Sequence, residues 1–327
     1  MNQGIDAILL SAGGGTRMKP LSLSISKPML PIKNRPFLAL LAERMAEAGF
    51  NSVIIVVSPK NHNEIKSYFE KHSLPNDVPV KLVIQKEALG TGHALLVTQE
   101  AVTTNLAFAM AGDNYLTTDF FKKIVLNHKK YNPVVTIALK EVPLDTIGSL
   151  STVHMTDEGY IKKIIEKPNS EEVISPIAAT AAYVFSKELY DELKVIPKSK
   201  RGEYEVPTAF DQLLSKGKEI RGYEANEWDH ISNPMDLWRF NMMDLAKNSN
   251  EIAKSAFIGQ HCKLHHSIVG EHAKIGANSS LKDCLILPDV VLPENSDYSN
   301  TIISVSPDGE LEILQIPEDV VLRNPYN

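Results

Sequence analysis

Cysteine is almost absent from this chain: two residues, Cys262 and Cys284, in 327. They lack Cys-x-x-Cys spacing, so they offer neither a disulfide framework nor a zinc knuckle and read as small buried side chains. No segment approaches eighteen consecutive apolar residues, which excludes an apolar membrane span of the usual kind. The opening Met-Asn-Gln-Gly-Ile-Asp has no charged leader ahead of a long apolar core, so the expected location is the cytosol. Positive charge is not in excess: 34 Lys and Arg stand against 40 Asp and Glu, a formal charge of −6. That balance supplies no basic stripe for nucleic acid and no cationic amphipathic helix for a membrane surface. What the chain does have is 43% hydrophobic residues, enough for a sizeable core divided between two domains.

From residue 5 onward, short β-branched or apolar runs alternate with amphipathic stretches, the pattern of a largely parallel sheet covered by helices. Strands are expected over Ile5 to Ser11, Ser52 to Val57, Lys81 to Gln85, Leu106 to Ala111 and Val134 to Lys140. Helices are expected over Pro36 to Ala48, Asn63 to Lys71, Gly92 to Glu100 and Thr118 to Lys130. Two strands joined by Thr156-Asp157-Glu158-Gly159 should follow, then a strand over Ala178 to Phe185 and a helix over Lys187 to Lys194. In open α/β sheets, ligands gather at the carboxyl ends of the strands, so Ser11 to Arg17, Gln85 to Gly92 and Gly112 to Asn114 should share one crevice.

A helix from Pro234 to about Lys247 and a polar linker, Asn248 to Glu251, close this first region. Beyond it the period changes. Ile258, Leu264, Val269, Ile275, Leu281 and Leu287 recur at spacings of 6, 5, 6, 6 and 6, often followed by glycine. This is the hexapeptide pattern of a parallel β-helix of about two coils, with an ordinary short β-sheet tail as the competing reading. So short a coil buries little alone and needs to dock on the first domain or on another subunit. Residues 301 to 327 carry a Pro-Asp-Gly turn between strand-like runs, a hairpin. His261, His265, His266 and His272 lie in the repeat with Cys262, where outward positions normally carry solvated side chains and a metal site is the minor alternative.

The segment with the most chemistry is Gly13-Gly14-Gly15-Thr16-Arg17, followed by Lys27. Three glycines let successive N–H groups turn toward one anion, Arg17 adds a fork of donors and Lys27 a point charge: equipment for a triphosphate. The loop is neither a Walker A nor a Gly-x-Gly-x-x-Gly dinucleotide loop. It resembles the signature of the sugar-phosphate nucleotidyltransferases, in particular the glucose-1-phosphate uridylyl- and thymidylyltransferase-like members. Gly13, Gly15, Thr16, Arg17, Pro20, Leu21, Lys27 and Pro28 match, while Ser22 stands for threonine and Ser26 for the proline before the lysine.

Further motifs follow in the family's order. Gln85-Lys86-Glu87-Ala88-Leu89-Gly90-Thr91 matches the base-reading segment, and a carboxamide at Gln85 favours uracil or thymine. His93, just inside the next helix, reads as a packing or capping residue. Gly112-Asp113 matches the metal-binding pair, although a strand-terminal aspartate can also simply cap the next helix. Glu166-Lys167-Pro168 matches the motif that faces the sugar phosphate, and Gly202-Glu203-Tyr204-Glu205 a segment near the acceptor. Two departures stand out. His230 occupies the position of the second metal-binding aspartate, with Asp229 beside it, and Ser151 and Ala181 replace glycines near the sugar.

The resemblance implies a Rossmann-like, mixed but mostly parallel α/β sheet with helices on both faces, followed by a short left-handed parallel β-helix. It divides the chain into a catalytic domain, residues 1–247, and the β-helix with its hairpin, residues 252–327. The implied reaction joins a nucleoside triphosphate, UTP or dTTP, to a sugar 1-phosphate with release of pyrophosphate. In it Arg17, Lys27 and Lys167 would carry catalysis. Ala12, Gly13, Gly14, Gly15, Thr16, Gln85, Gly90, Thr91, Glu166 and Thr180 would bind substrate, and Asp113 and His230 would hold Mg²⁺. An imidazole ligand favours Mn²⁺ or Co²⁺ over Mg²⁺. A homo-oligomer is expected. The rival reading, suggested by His230 and Ser26, is a catalytically inactive subunit that senses nucleotide sugars.

Overall fold

The structure is a computed structural model that describes residues 4–243, 245–246 and 249–322. It separates into two compact units, Met1–Gly13 with Leu41–Asp229, and Gly14–Leu40 with His230–Asn327.

The first unit is built on a seven-stranded sheet. In chain order its strands are β1 (Ile5–Leu10), β2 (Val53–Val57), β3 (Val80–Ile84), β4 (Leu106–Ala111) and β5 (Val135–Glu141). After a separate antiparallel hairpin, β6 (Ser151–Met155) and β7 (Ile161–Glu166), come β8 (Ile177–Ser186) and β9 (Ile220–Glu224). The spatial order is β9-β5-β8-β4-β1-β2-β3. Only β8 runs antiparallel to its neighbours in this sheet. The sheet is therefore mixed and mostly parallel, a Rossmann-like arrangement. Val53 to Val57 is buried along its whole length, as a strand covered on both faces must be.

Helices α1 (Phe37–Ala48), α2 (His62–Lys71), α3 (Thr91–Leu96) and α4 (Thr118–Tyr131) fall close to the expected spans. The third stops a turn early, where Thr98 Oγ1 donates to the Leu95 carbonyl at 2.6 Å. α4 starts at Thr117, whose hydroxyl accepts from the Phe120 N–H, and ends at Asn132 in the left-handed region. Between them Phe120, Phe121, Ile124 and His128 form its buried stripe. α5 (Glu188–Leu193) and α6 (Val206–Ser215) complete the unit's longer helices. At the amino end of the sheet, the fully buried Asp6 accepts from Ser52 Oγ, the Thr103 and Thr104 N–H groups and both threonine hydroxyls. These donors hold its carboxyl below the ordinary value although burial alone would raise it.

In the second unit, α7 (Pro234–Met243) opens with a reciprocal cap: Asn233 Oδ1 accepts from the Asp236 N–H at 3.0 Å, and Asp236 Oδ2 accepts from the Asn233 N–H at 3.2 Å. The helix ends before the expected Lys247, which lies outside the described residues, as does Asn248 of the expected linker. Asn241 on α7 accepts from the Lys33 N–H and donates to the Pro31 carbonyl, and Asn34 Nδ2 donates to the Val269 carbonyl. Residues 14–40, which include Arg17 and Lys27, are thus packed with the C-terminal part of the chain.

From Glu251 onward, parallel strand pairs recur at a constant offset of 17 residues, the sequence separation at which His266 also meets Asp283 and Ser267 meets Cys284. Ile258, Ile275 and Leu292 form one column, Leu264, Leu281 and Tyr298 a second, and Val269, Ile286 and Ile303 a third. This corrects the expected register by one residue: the third column takes Ile286, not Leu287, because the steps that make up the 17-residue offset are six, five and six rather than three sixes. The turns between sides are left-handed, and they are filled by His261, Asn278 and Asn295, by His266, Asp283 and Asn300, and by His272 and Asp289. Asn and Asp tolerate that conformation, which explains the histidines as corner residues in the same columns. His266 is not solvated as expected but 9% exposed, its Nδ1 2.7 Å from Asp283 Oδ1. Cys284 is buried as expected, with its thiol pushed up to about 12 by desolvation, whereas Cys262 is only half-buried. The chain then forms the expected hairpin, Asp297–Val305 against Leu311–Gln315.

Candidate active site

The carboxyl ends of β4, β1, β2 and β3 lie side by side in the sheet, and each strand hands its next residues to the same edge. Ser11 follows β1, and its N–H donates to the Val56 carbonyl at 2.9 Å. Asn61 then ties the loop down: its Nδ2 donates to the Ser11 carbonyl at 2.9 Å and its Oδ1 accepts from the Ser58 N–H at 2.8 Å. Gly112 follows β4, and a Cβ there would stand 2.2 Å from Ser11 Oγ, so a side chain at this position would force the Ser11 hydroxyl to move. The sequence thus brings Ser11, Ala12, Gly13, Gln85, Gly112 and Asp113 to one edge, as strand topology requires.

Gln85 is 6% exposed, and its Nε2 lies 3.1 Å from the Gly90 carbonyl oxygen and 3.1 Å from His93 Nδ1. His93 is therefore a partner of Gln85, which the reading of it as a packing or capping residue did not capture. Gly90 sits at φ +101, and a Cβ there would be 2.5 Å from the Tyr204 carbonyl oxygen. The Tyr204 N–H donates to the Leu89 carbonyl, the Gly92 N–H to the Tyr204 carbonyl, and the Val206 N–H to Thr91 Oγ1. Residues 89–92 and 204–206 are laced together, a link invisible in either motif alone.

Glu166 ends β7 and Lys167 follows it in the left-handed region at φ 47, its N–H donating to the Leu150 carbonyl at 2.7 Å. Burial raises the Glu166 carboxyl, while Lys167 and Arg201 pull it down. Arg201 itself donates from Nε to Glu205 Oε1 at 2.9 Å, and Glu205 is buried. Neither Arg201 nor Asn61 was singled out from sequence, since neither stands inside a quoted motif and each acts through a side-chain hydrogen bond that only the folded chain makes. Thr180 is 2% exposed, its hydroxyl donating to the Ala138 carbonyl and its own carbonyl accepting from Asn114 Nδ2. Beside it the pairing of β8 with β5 slips between Ala179 and Tyr183, and Ala181 takes φ 51. That is the conformation a glycine would adopt without cost. Ser151, the other replaced glycine, turns inward and accepts from the Ala179 N–H at 2.9 Å.

In the second unit, Gly15 is left-handed at φ +60, and a Cβ there would meet Lys27 Cβ at 2.9 Å, so the last glycine of the loop and the lysine are in direct contact. Ser22 Oγ and the Met18 N–H both donate to the Gly15 carbonyl at 2.9 Å. Gly13 and Gly14 face open space, and Thr16 and Arg17 are exposed. Ser26 holds φ −60, the value proline would impose, so its replacement leaves the backbone path unchanged. Asp229 and His230 form a two-residue strand just ahead of the α7 cap.

Among the described residues no three His, Cys, Asp or Glu side chains gather into a metal cage. Asp113, just past β4, could supply one carboxylate to a divalent cation, which in such sites is held by one or two carboxylates together with substrate phosphates. No described helix is long and apolar enough to cross a membrane.

Residues 6–247 match the family model described as nucleotidyl transferase. Among similar proteins, UTP–glucose-1-phosphate uridylyltransferase AglF of Haloferax volcanii is 27% identical over 224 residues, covering 68% of this chain and 89% of that protein. Low-salt glycan biosynthesis nucleotidyltransferase Agl11 of the same organism is 26% identical over 319 residues, 88% of each chain. A crystal structure of UDP-glucose pyrophosphorylase complexed with UDP-glucose shares the fold, with a TM-score of 0.65 and 23% identity over 73% of this chain and 97% of that one. With three quarters of its length matched by that model and its strand ends carrying the motifs in order, the chain belongs to the nucleotidyl transferase family.

Proposed function

We propose that the chain transfers a nucleotidyl group from UTP or dTTP to a sugar 1-phosphate, giving a nucleotide sugar and pyrophosphate. The observation that carries this reading is the alignment of Ser11 to Gly13, Gln85 and Gly112-Asp113 at the carboxyl ends of adjacent strands. The naming of the Haloferax volcanii relative as a UTP–glucose-1-phosphate uridylyltransferase supports the substrate class.

Little covalent work falls to the protein in this reaction, so the chain's residues act by gathering and neutralising charge. In this reading, backbone N–H groups from Ala12 to Thr16 cradle the phosphates, Arg17 grips the outer ones and Lys27 the α-phosphate. Gln85, Gly90 and Thr91 hold the base. Lys167 fixes the acceptor phosphate, Glu166 accepts from sugar hydroxyls, and Thr180 contributes through its backbone. Asp113 would hold Mg²⁺, with His230 or Asp229 as second ligand, and Mn²⁺ or Co²⁺ as alternatives if the imidazole serves. The bound cation would supply electrostatic stabilisation of the phosphates.

Residues 1–247 form the catalytic domain in this proposal, a limit supported by the family match over 6–247. Residues 252–327 form a short left-handed parallel β-helix with its hairpin, supported by the constant strand offset. The enzyme works in the cytosol as a homo-oligomer.

Pyrophosphate release from a panel of sugar 1-phosphates with each triphosphate, in Mg²⁺ and separately in Mn²⁺, tests the reading. Turnover with UTP or dTTP is expected, and Lys27→Ala should lower it by about 10²- to 10³-fold, as loss of one preorganised charge does elsewhere. Full turnover in that variant would remove the role given to Lys27. No turnover in any combination, together with tight binding of a nucleotide sugar, would instead favour the inactive regulatory subunit that His230 and Ser26 suggest.

A further inference from the structure

The amide orientation of Gln85 is decided by chemistry. Its terminal nitrogen lies 3.1 Å from the Gly90 carbonyl oxygen, and a carbonyl can only accept, so the group facing Gly90 is the NH₂. The same nitrogen is 3.1 Å from His93 Nδ1. Two donors cannot share that contact, so Nδ1 is the bare nitrogen and the imidazole proton sits on Nε2. Both amide hydrogens are then used, and Oε1 is left without a hydrogen bond among the described residues.

An isolated acceptor complements a ring N–H. The imide of uracil or thymine offers one at N3, whereas cytosine presents a lone pair at the same position and would be repelled. Gly90 is itself immobilised: the Leu89 carbonyl accepts from the Tyr204 N–H at 2.8 Å, the Gly92 N–H returns to the Tyr204 carbonyl at 2.8 Å, and no side chain fits at Gly90. Gly90 thus fixes one amide hydrogen from a rigid loop and His93 fixes the other.

We infer that His93 is a positioning residue which, together with the Gly90 carbonyl, holds both Gln85 amide hydrogens and leaves Oε1 free to accept from the base, so that UTP and dTTP are accepted and CTP is rejected. The inference rests on the proposed function, and it adds a determinant outside the phosphate-binding residues. It also explains why an imidazole in the first turn of α3 lies beside a buried amide.

The test is calorimetric binding of UTP, dTTP and CTP to the full chain and to His93→Leu and His93→Asn. Wild type should prefer UTP. His93→Leu, which removes the acceptor, should reduce the UTP-over-CTP ratio of dissociation constants about tenfold, the scale of one hydrogen bond to a buried group. His93→Asn, whose Oδ1 can take the place of Nδ1, should keep the ratio within about twofold of wild type. An unchanged ratio in His93→Leu overturns the inference while leaving nucleotidyl transfer intact. A wild-type chain that binds neither UTP nor dTTP overturns the functional reading and this inference with it. Imidazole nitrogen shifts of the wild-type protein at neutral pH give a readout that needs no variant to fold. A His93 ring protonated on Nε2 and bare at Nδ1 supports the lock, and a ring protonated on Nδ1 overturns it.

Discussion

Ala181 carries a left-handed backbone at φ 51 on an exposed position, where its methyl group makes no buried contact to offset the strain. Ala181→Gly should therefore stabilise the protein by about 0.5–1 kcal/mol, measured as a rise in the urea midpoint at unchanged slope. A fall in the midpoint would show that the conformation costs alanine nothing here. The strain was half legible beforehand: comparison with the family motif marks a glycine position, but the slip in pairing between β8 and β5 that demands it is a property of two strands forty residues apart. Ser26 is the contrasting case. Its φ of −60 already matches proline, so the departure in sequence has no counterpart in backbone. His93 shows the limit of reading single residues, since its role depends on a buried glutamine eight positions away.

At the level of elements, caps and corners decide where segments stop. The reciprocal Asn233 and Asp236 bonds satisfy N–H groups at the start of α7 that the helix itself leaves open. Asn233→Ala should cost about 1 kcal/mol in chemical denaturation, and a change within experimental error would mean that Pro234 alone starts the helix. Of this cap, only the start of the helix at Pro234 was legible beforehand. The C-terminal columns were readable too, but only to within a residue. Aliphatic spacing announces a repeat of about six, whereas the five-residue side emerges from pairing, because backbone hydrogen bonds must close every round in the same register. Once that register is known, the recurrence of His261, His266 and His272 with Asn and Asp at left-handed positions follows.

For the molecule as a whole, buried groups of the first unit make stability depend on pH, and they do not all act the same way: His128 and Asp6 lose stability toward acid, whereas Asp211, pushed up to about 6 by burial, gains it. Burial pushes the His128 imidazole down to about 4 from 6.5. Below pH 6.5 the unfolded chain takes up a proton that the folded chain refuses at His128, so the contribution of this residue falls as the pH drops from about 6.5 to about 4 and flattens below. The whole effect is on the order of 3 kcal/mol. Asp6 is depressed below 3.8 by its hydrogen bonds, so its contribution is complete above that value and is lost as the pH falls through the lower folded value. Relative to wild type, His128→Gln should raise the unfolding free energy at pH 4 against its value at pH 6.5, and an unaltered difference would assign the dependence to other groups. By itself the sequence determined the alternation of strands and helices, the edge at which ligands gather, and the repeat that follows, because these depend on local periodicity and on the direction of parallel strands. The tertiary structure alone decided the orientation of the Gln85 amide, the lacing of Leu89 to Tyr204, the burial of His128 and the packing of residues 14–40 with the C-terminal region. Each of these depends on contacts between residues far apart in the chain, which no local pattern specifies.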